Sequence, residues 1–279
     1  MKQHAVRAWS ALAIAGLAWP AALPAQEPAP SPQPAASAGW EVNWGEQHCM
    51  LIRNAGGGRG KAFVLRRVPG SGPTDLITID PSPPRDPSST RRELSIVLRP
   101  SGQRLDGRVI RAGRVPSGNT VIEMNGGDEL LDQFAESTAI ELAVGDRTYF
   151  QMSYPLPTAA LAALRQCEDD ALIGWGIDPA LITGVRTRAR MINRDLIMSG
   201  DYPSEALRAH QEGVTLTRFI INTEGRVENC AVVTSSGAAA LDAQTCALAQ
   251  SRARFRPATG ADGQPMRSVF VLRVVWLLP

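Results

Sequence analysis

The residues with the clearest chemical potential are four cysteines, Cys49, Cys167, Cys230 and Cys246. Four cysteines permit three disulfide pairings. The first two lie near the ends of a long N-terminal stretch, whereas the last two lie together in a C-terminal stretch. This arrangement favours the pairs Cys49–Cys167 and Cys230–Cys246. On the chain-entropy model the shorter loop would stabilise the fold by about 3 kcal/mol, and the longer loop by somewhat more.

A metal site is the competing interpretation of these cysteines. Structural zinc sites usually draw on C-x-x-C pairs or closely spaced histidines, but the sequence has no C-x-x-C pair, and His48 and His210 are its only histidines beyond the N-terminal segment. A cysteine nucleophile is also disfavoured. His48 adjoins Cys49, but neighbouring residues on a strand point to opposite faces. We therefore expect no metal, no cofactor and no catalytic residue.

The charge balance indicates which partners to expect. Lys and Arg number 29 and Asp and Glu number 27, which gives a formal net charge of +2. Nucleic-acid binding normally requires a clustered basic excess. We therefore expect protein partners, with no nucleic acid and no small-molecule substrate. The acidic run Glu168 to Asp170 is interpreted as a solvated helix end.

The N-terminus has the features of an export signal. Lys2 and Arg7 precede an apolar stretch from Ala11 to Ala18, so residues 1–25 are predicted to be a signal peptide. An uncleaved inner-membrane anchor is the alternative. Gln26 to Gly39 is rich in Pro, Ala and Ser, which predicts a disordered spacer. The folded part is then expected in the periplasm, where disulfides persist.

Residues 40–175 are predicted to form a β-rich domain. Alternating apolar residues bounded by Gly and Pro clusters are typical of short strands, and their number favours a β-sandwich or a small barrel. A helix over Thr158 to Arg165 would close it, and Cys167 would tie that helix to the second strand. The predicted strands cover residues 40–44, 49–53, 61–68, 75–79, 93–98, 119–124, 140–144 and 148–152.

Residues 176–197 are predicted to be a linker helix that begins at Asp178 and Pro179, an N-cap residue followed by a residue favoured in the first turn. Four arginines follow, Arg186, Arg188, Arg190 and Arg194. They could bind an anionic surface, or they could form an ordinary solvated helix face.

Residues 198–279 change character and predict a β-β-α-β domain, which makes the whole chain α+β. The predicted strands are Gly213 to Ile221, Val227 to Thr234 and Ser268 to Leu277. Asn222 to Gly225 forms the turn of the hairpin. Ser236 is expected to cap the helix that carries Cys246.

The last strand is apolar on both of its alternating sides. Phe270, Leu272 and Val274 alternate with Val269, Val271 and Val275. One helix cannot cover both faces of a sheet. The second face is therefore expected to pack against the other domain, a partner chain or a recognised peptide.

The C-terminal part, from about Asp201 to Pro279, resembles the C-terminal domain of TonB proteins. The N-terminal domain resembles no family that we recognise. The matching residues, in order, are Tyr202-Pro203, Ala206, Gly213, Phe219, Gly225 to Val227, Ser235 to Gly237, Leu241-Asp242, Phe255 to Ala258 and Gly263 to Pro265.

The resemblance implies a non-enzymatic protein that grips a peptide of an outer-membrane transporter by strand addition and supports transmembrane transport. An exposed sheet edge offers unpaired N–H and C=O groups to an extended peptide. The alternative is an adaptor or structural role in the periplasm, in which the domain pairs with another envelope protein or with itself and transduces no energy. The candidate surface is the edge near Val269 to Trp276, together with the segment before Tyr202, which is expected to be extended. The predicted contact residues are Tyr202, Val269, Val271, Arg273 and Val275.

Overall fold

The computed structural model describes residues 39–55, 60–83, 93–127, 129–155, 157–193 and 196–278, which belong to one compact unit. The predicted signal peptide, the spacer up to residue 38 and Arg194 lie outside these residues. The architecture is α+β, as predicted, with more strand than helix. We call residues 39–174 the N-terminal lobe, residues 175–198 the connecting segment and residues 199–278 the C-terminal lobe.

The described N-terminal lobe consists of two antiparallel sheets. One has the strand order β1-β2-β3-β4-β8-β7, and the other has the order β10-β9-β5-β6. Its elements are β1 (Trp40–Trp44), β2 (Cys49–Asn54), β3 (Ala62–Arg67), β4 (Thr74–Asp80), β5 (Ser95–Arg99), β6 (Gln103–Asp106), β7 (Arg108–Arg114), β8 (Thr120–Asn125), α1 (Leu130–Phe134), β9 (Ala139–Val144), β10 (Arg147–Ser153) and α2 (Thr158–Gly174).

The two sheets share one hydrophobic core. Along β4 every second residue is buried, which is the pattern of a strand with one face inward. Phe63 and Leu65 of the first sheet and Ile140 and Leu142 of the second belong to the same buried cluster. Neither sheet closes on itself among the described residues, so of the two predicted architectures the structure excludes the closed barrel.

Helix α2 is attached to the first sheet by a disulfide. Cys49 of β2 and Cys167 of α2 are bonded, with their Cα atoms 6.0 Å apart, so Cys167 ties the helix to the second strand as predicted. The helix continues beyond the predicted end at Arg165. The interpretation of the acidic run as a solvated end was wrong for Glu168, because its side chain is fully buried in an ion pair with Arg67 (Nε to Oε1, 2.7 Å).

The predicted linker helix is wrong for the described part of its range, residues 176–193 and 196–197. The Asp178 carboxylate does accept a hydrogen bond from the N–H of Ala180 (2.9 Å), but it caps only a single 3-10 turn, Pro179–Leu181. Gly184 then adopts a left-handed conformation (φ +79°), which interrupts a helix. The following residues are extended and form β11 (Arg190–Met191), which pairs with β14 (Phe255–Arg256).

The C-terminal lobe contains a three-stranded sheet with the order β13-β12-β17. The predicted bounds of the first two strands agree with the structure, and the last strand ends one residue early. Its elements are α3 (Ser204–Arg208), β12 (Gly213–Ile221), β13 (Val227–Thr234), α4 (Ala239–Arg252), β14 (Phe255–Arg256), β15 (Ala258–Thr259), β16 (Pro265–Met266) and β17 (Ser268–Trp276).

Helix α4 covers one face of this sheet. Ala249 packs with Phe219 and Phe270, and Leu241 packs with Val274. The second disulfide joins β13 to α4, since Cys230 is bonded to Cys246 with a Cα separation of 5.7 Å. Both disulfides therefore have the pairing that chain organisation favours.

The start of α4 differs from the prediction that Ser236 caps it. The N-cap position is Ala238, and the helix depends instead on Asp242 in its first turn. That carboxylate accepts hydrogen bonds from Thr215 Oγ1 (2.9 Å), Ser236 N (2.9 Å), Ser236 Oγ (2.8 Å) and Ser235 Oγ. Burial works to raise the pKa of Asp242, but these hydrogen bonds outweigh it and hold the pKa below its ordinary value.

We expect Asp242→Ala to lower the free energy of unfolding by about 3 kcal/mol, because it removes charge-assisted hydrogen bonds and leaves the buried Thr215 hydroxyl unpaired. Urea denaturation measures this loss. Asp146→Ala, at an exposed turn, should change the stability by less than about 0.5 kcal/mol. The pKa is lowered in the folded state, so the contribution is present above the ordinary pKa of 3.8 and is lost as the pH falls through the folded value. A loss for Asp242→Ala no larger than that for Asp146→Ala would contradict this role.

Candidate functional site

The candidate partner-binding site is the outer edge of β17, which pairs with β12 on its other side. Backbone groups of successive residues in an antiparallel strand point alternately to the two sides. The N–H of Val271 points away from β12, because it donates to the carbonyl oxygen of Gly70 (3.2 Å). The N–H and C=O groups of Val269, Arg273 and Val275 therefore point outward as well.

The protein's own chain occupies one position of this edge. Gly70 makes the only backbone hydrogen bond to the outer side of β17 among the described residues, and Val271 is fully buried. Gly70 has a φ of +75°, and a Cβ atom there would lie 3.0 Å from side-chain atoms of both Val271 and Leu172. Only glycine lets the loop approach the strand this closely.

A buried arginine holds the loop that carries Gly70. Arg67 is anchored by Glu168 of α2, and its guanidinium also donates to the carbonyl oxygens of Ser71 (3.0 Å) and Gly72 (3.1 Å). A guanidinium carries five donors in a rigid fork, which suits it to fixing several acceptors at once. The position of Gly70 against β17 therefore depends on an ion pair within the N-terminal lobe.

The second face of the C-terminal sheet packs against the rest of the chain. Val271 and Leu216 form a buried cluster with Leu172 of α2 and Ile177 of the connecting segment. Gln47 of the N-terminal lobe also donates to the hydroxyl of Thr234 on β13 (3.2 Å). Of the three occupants that the sequence allowed for this face, the other domain is the one that covers it around Val271.

The remaining part of the edge is open to solvent. Arg273 is exposed, the Val275 side chain is 48% exposed and that of Leu277 is 66% exposed. The outward backbone groups of Arg273 and Val275 make no hydrogen bond with any other residue in the described ranges. We call residues 273–277 the open margin.

Tyr202 lies apart from the open margin's outward backbone groups. Its ring contacts that of Trp276 edge-on, with centroids 5.4 Å apart, and its hydroxyl donates to the carbonyl oxygen of Gln211. Burial raises the Tyr202 pKa. The segment before it, expected to be extended, is a 3-10 turn (Ser199–Asp201) that an ion pair between Asp201 and Arg252 holds in place.

Among the described residues there is neither a cluster of metal-binding side chains nor a membrane-spanning helix. No three His, Cys, Asp or Glu side chains in these ranges come together as metal ligands. Within the same ranges, none of the helices has the length and apolar character needed to cross a membrane.

Comparison with known proteins agrees with this architecture. Residues 199–278 match the family described as Gram-negative bacterial TonB protein C-terminal. The chain therefore contains a domain of this family at its C-terminus, as the sequence predicted, and the match does not extend to the N-terminal lobe. The family is a non-enzymatic protein-interaction domain of the cell envelope. A search of curated proteins finds no match to the chain.

One residue at the contact between the lobes is sensitive to pH. His48 lies in the turn between β1 and β2, and burial lowers its pKa, assisted by the positive charges of Arg66 and Arg273, against the opposing effect of Asp75. Arg273 belongs to β17, so the histidine senses a charge on the other lobe. His48 is therefore neutral at pH 7.

We expect acidification to destabilise the folded chain through His48. The unfolded chain takes up the proton first, because the folded pKa lies below the ordinary 6.5. The free energy of unfolding is therefore highest above pH 6.5, and it decreases as the pH falls from 6.5 toward the folded pKa of His48.

Melting temperatures measured at about pH 7.5 and about pH 5.5 should differ less in His48→Gln than in the wild type. His210→Asn, which suits that residue's left-handed backbone, is the control and should keep the wild-type difference. Equal pH dependence in the wild type and His48→Gln would disprove the assignment.

Proposed function

We propose that this protein acts in the periplasm and binds an extended peptide segment of an outer-membrane transporter by strand addition at the open margin of β17. The observation that carries the proposal is the pair of outward, unpaired backbone positions at Arg273 and Val275, in a domain of the TonB C-terminal family. An added strand would satisfy these groups with few demands on the peptide's sequence.

The side chains of the margin favour particular peptide residues. The exposed side chains of Val275 and Leu277 offer apolar surface, and Arg273 offers a positive charge next to it. A peptide that combines apolar residues with one carboxylate would complement both features. The expected partner is therefore a mixed apolar and acidic segment.

The length of the open margin limits the strength of binding. Two residues offer four backbone groups, and a net gain of about 1 kcal/mol for each hydrogen bond gives about 4 kcal/mol. That alone corresponds to a dissociation constant of about 1 mM. Tighter binding requires contacts from the peptide's side chains or displacement of Gly70 from Val271.

The occupied position at Val271 favours a second candidate function. In this alternative the C-terminal lobe is a periplasmic adaptor that contacts another envelope protein without transducing energy, and the N-terminal lobe is a permanent cover of the sheet. N-terminal sequencing of the mature protein distinguishes the two. A mature chain that begins at Gln26 would lack the N-terminal anchor. It could not then transmit energy from a motor complex in the inner membrane, and this result would support the adaptor.

A matched control is available on the opposite edge of the sheet. Val232 of β13 pairs with Thr217, whose backbone groups face β17, so those of Val232 point outward. Val232 is 42% exposed, close to the exposure of Val275. Proline at either position removes one outward N–H without breaking a bond inside the sheet.

We expect peptides from transporter N-termini to shift the amide signals of Arg273 and Val275 in an NMR titration of the full chain. Val275→Pro should weaken binding at least about fivefold, because it removes one of four hydrogen-bonding groups. Val232→Pro should bind like the wild type. Circular dichroism confirms that both variants fold.

Two results would rule out strand addition at the open margin. One is the absence of shifts on β17 with every peptide tested. The other is equal weakening by the two proline variants.

A further inference from the structure

A charged cleft lies where the lobes meet, and the function proposed above does not use it. Its volume is about 470 Å³, and its walls come from α2, the connecting segment, β14 and the start of β17. Clefts of this size accommodate small ligands. Six arginines and four carboxylates line it, which leaves a surplus of two positive charges: Arg67, Arg165, Arg186, Arg188, Arg190 and Arg256, with Glu129, Asp132, Glu168 and Asp169.

The connecting segment concentrates arginines on one side. It is extended, with Thr187 bridged to Thr259, so the alternate residues Arg186, Arg188 and Arg190 project to the same side. All three line the cleft. The sequence suggested that these arginines might bind an anionic surface from a helix, and the structure instead places them in a cavity.

The pairing of β11 with β14 adds a fourth arginine. Arg256 is directly opposite Arg190 in the ladder and also lines the cleft. Like charges directly opposite each other on neighbouring strands destabilise a sheet. This pair would therefore be stabilised by an additional negative charge in the cleft.

Part of the positive charge is already neutralised by the protein. Glu168 forms ion pairs with Arg67 (2.7 Å) and Arg188 (3.1 Å), and Glu129 forms one with Arg190 (3.3 Å). These ion pairs involve two of the four carboxylates that line the cleft.

Three other arginines that line the cleft have exposed side chains: Arg165, Arg186 and Arg256. None of them forms an ion pair with a residue of the described ranges. Asp132 and Asp169 are the remaining carboxylates. Burial raises the pKa of Asp169, assisted by the negative charges of Glu168 and Asp170 and opposed by Arg188 and Arg165.

An unsatisfied polar group lies beside the cleft. Ser268 lines it and is only 3% exposed, and its Oγ atom is buried without a hydrogen-bond partner among the described residues. Buried hydroxyls are normally hydrogen-bonded. The Ser268 oxygen itself is shielded from solvent, so it is an unsatisfied group beside the cleft and not a direct ligand contact.

We infer that this cleft binds a small ligand with at least two anionic oxygen groups, carboxylate or phosphate. Guanidinium groups pair with both through two parallel hydrogen bonds. Such a ligand would contact α2 of the N-terminal lobe and β14 of the C-terminal lobe together. Its binding would therefore stabilise the contact between the lobes, whether or not the open margin binds a peptide.

The test uses the full chain and two probes, pyrophosphate for phosphate and citrate for carboxylate. Each is compared with KCl at equal ionic strength. A ligand that binds only the folded state stabilises it by about 2.7 kcal/mol at one hundred times its dissociation constant. We expect at least one probe to raise the melting temperature above the KCl control, and the stronger probe identifies the ligand's anionic group.

Variants locate the binding. Arg186→Gln and Arg256→Gln should each weaken the stronger probe at least about tenfold, because each removes a charge-assisted pair. Arg114→Gln and Arg147→Gln, exposed arginines outside the cleft, should bind like the wild type. Without ligand, Arg256→Gln should melt no lower than the wild type at low salt, since it relieves the repulsion by Arg190.

The proposal is overturned if neither probe exceeds the KCl control, or if the cleft and control variants respond alike. A marked loss of stability in ligand-free Arg256→Gln would also count against it, because it would mean that the arginine is satisfied within the protein. Arg186→Gln, at an exposed position, still reports on binding in that case.

Discussion

The packing of Val271 against Gly70 and Leu172 is the contact on which the rest of the arrangement depends. A three-stranded sheet with apolar residues on both faces cannot be covered by α4 alone, and this contact buries the second face. It favours a glycine at position 70, because the backbone φ there is +75° and a Cβ atom would lie only 3.0 Å from side-chain atoms of Val271 and Leu172. It also requires the buried pair of Arg67 and Glu168, which fixes the loop that carries Gly70.

The same contact adjoins both candidate binding sites. It occupies the edge of β17 at Val271 and leaves residues 273–277 open, so a peptide can add only to the end of the strand unless the lobes separate. The arginine-lined cleft lies beside the covered part of the sheet, where the ion pair between Glu168 and Arg188 joins α2 to the connecting segment. A ligand in the cleft and a peptide on the edge would therefore act on one shared surface between the lobes.

The sequence was sufficient where local patterns decide the structure. The hairpin turn at Gly225, between two runs rich in strand-forming residues, placed Gly213–Ile221 and Val227–Thr234 correctly. The sequence was insufficient where tertiary contacts decide the structure. Asp178 and Pro179 can begin a single turn as well as a helix, and here they begin only a turn. The residues that follow are extended because they pair with β14. The exposed strands β6 and β7 lack a buried alternating face and were missed. The sequence shows the arginines of the connecting segment, but the cleft that they line combines residues from distant segments, which no local pattern brings together.

The central claim is that the protein's own chain occupies the outer edge of β17 at Val271 and leaves it open at Arg273 and Val275. Hydrogen exchange of individual amides measured by NMR tests this claim most directly. The account predicts slow exchange at Val271, Leu272 and Val274, where each N–H has a partner, and fast exchange at Arg273 and Val275. Fast exchange at Val271, or protection at Arg273 and Val275 equal to that of their neighbours, would contradict it.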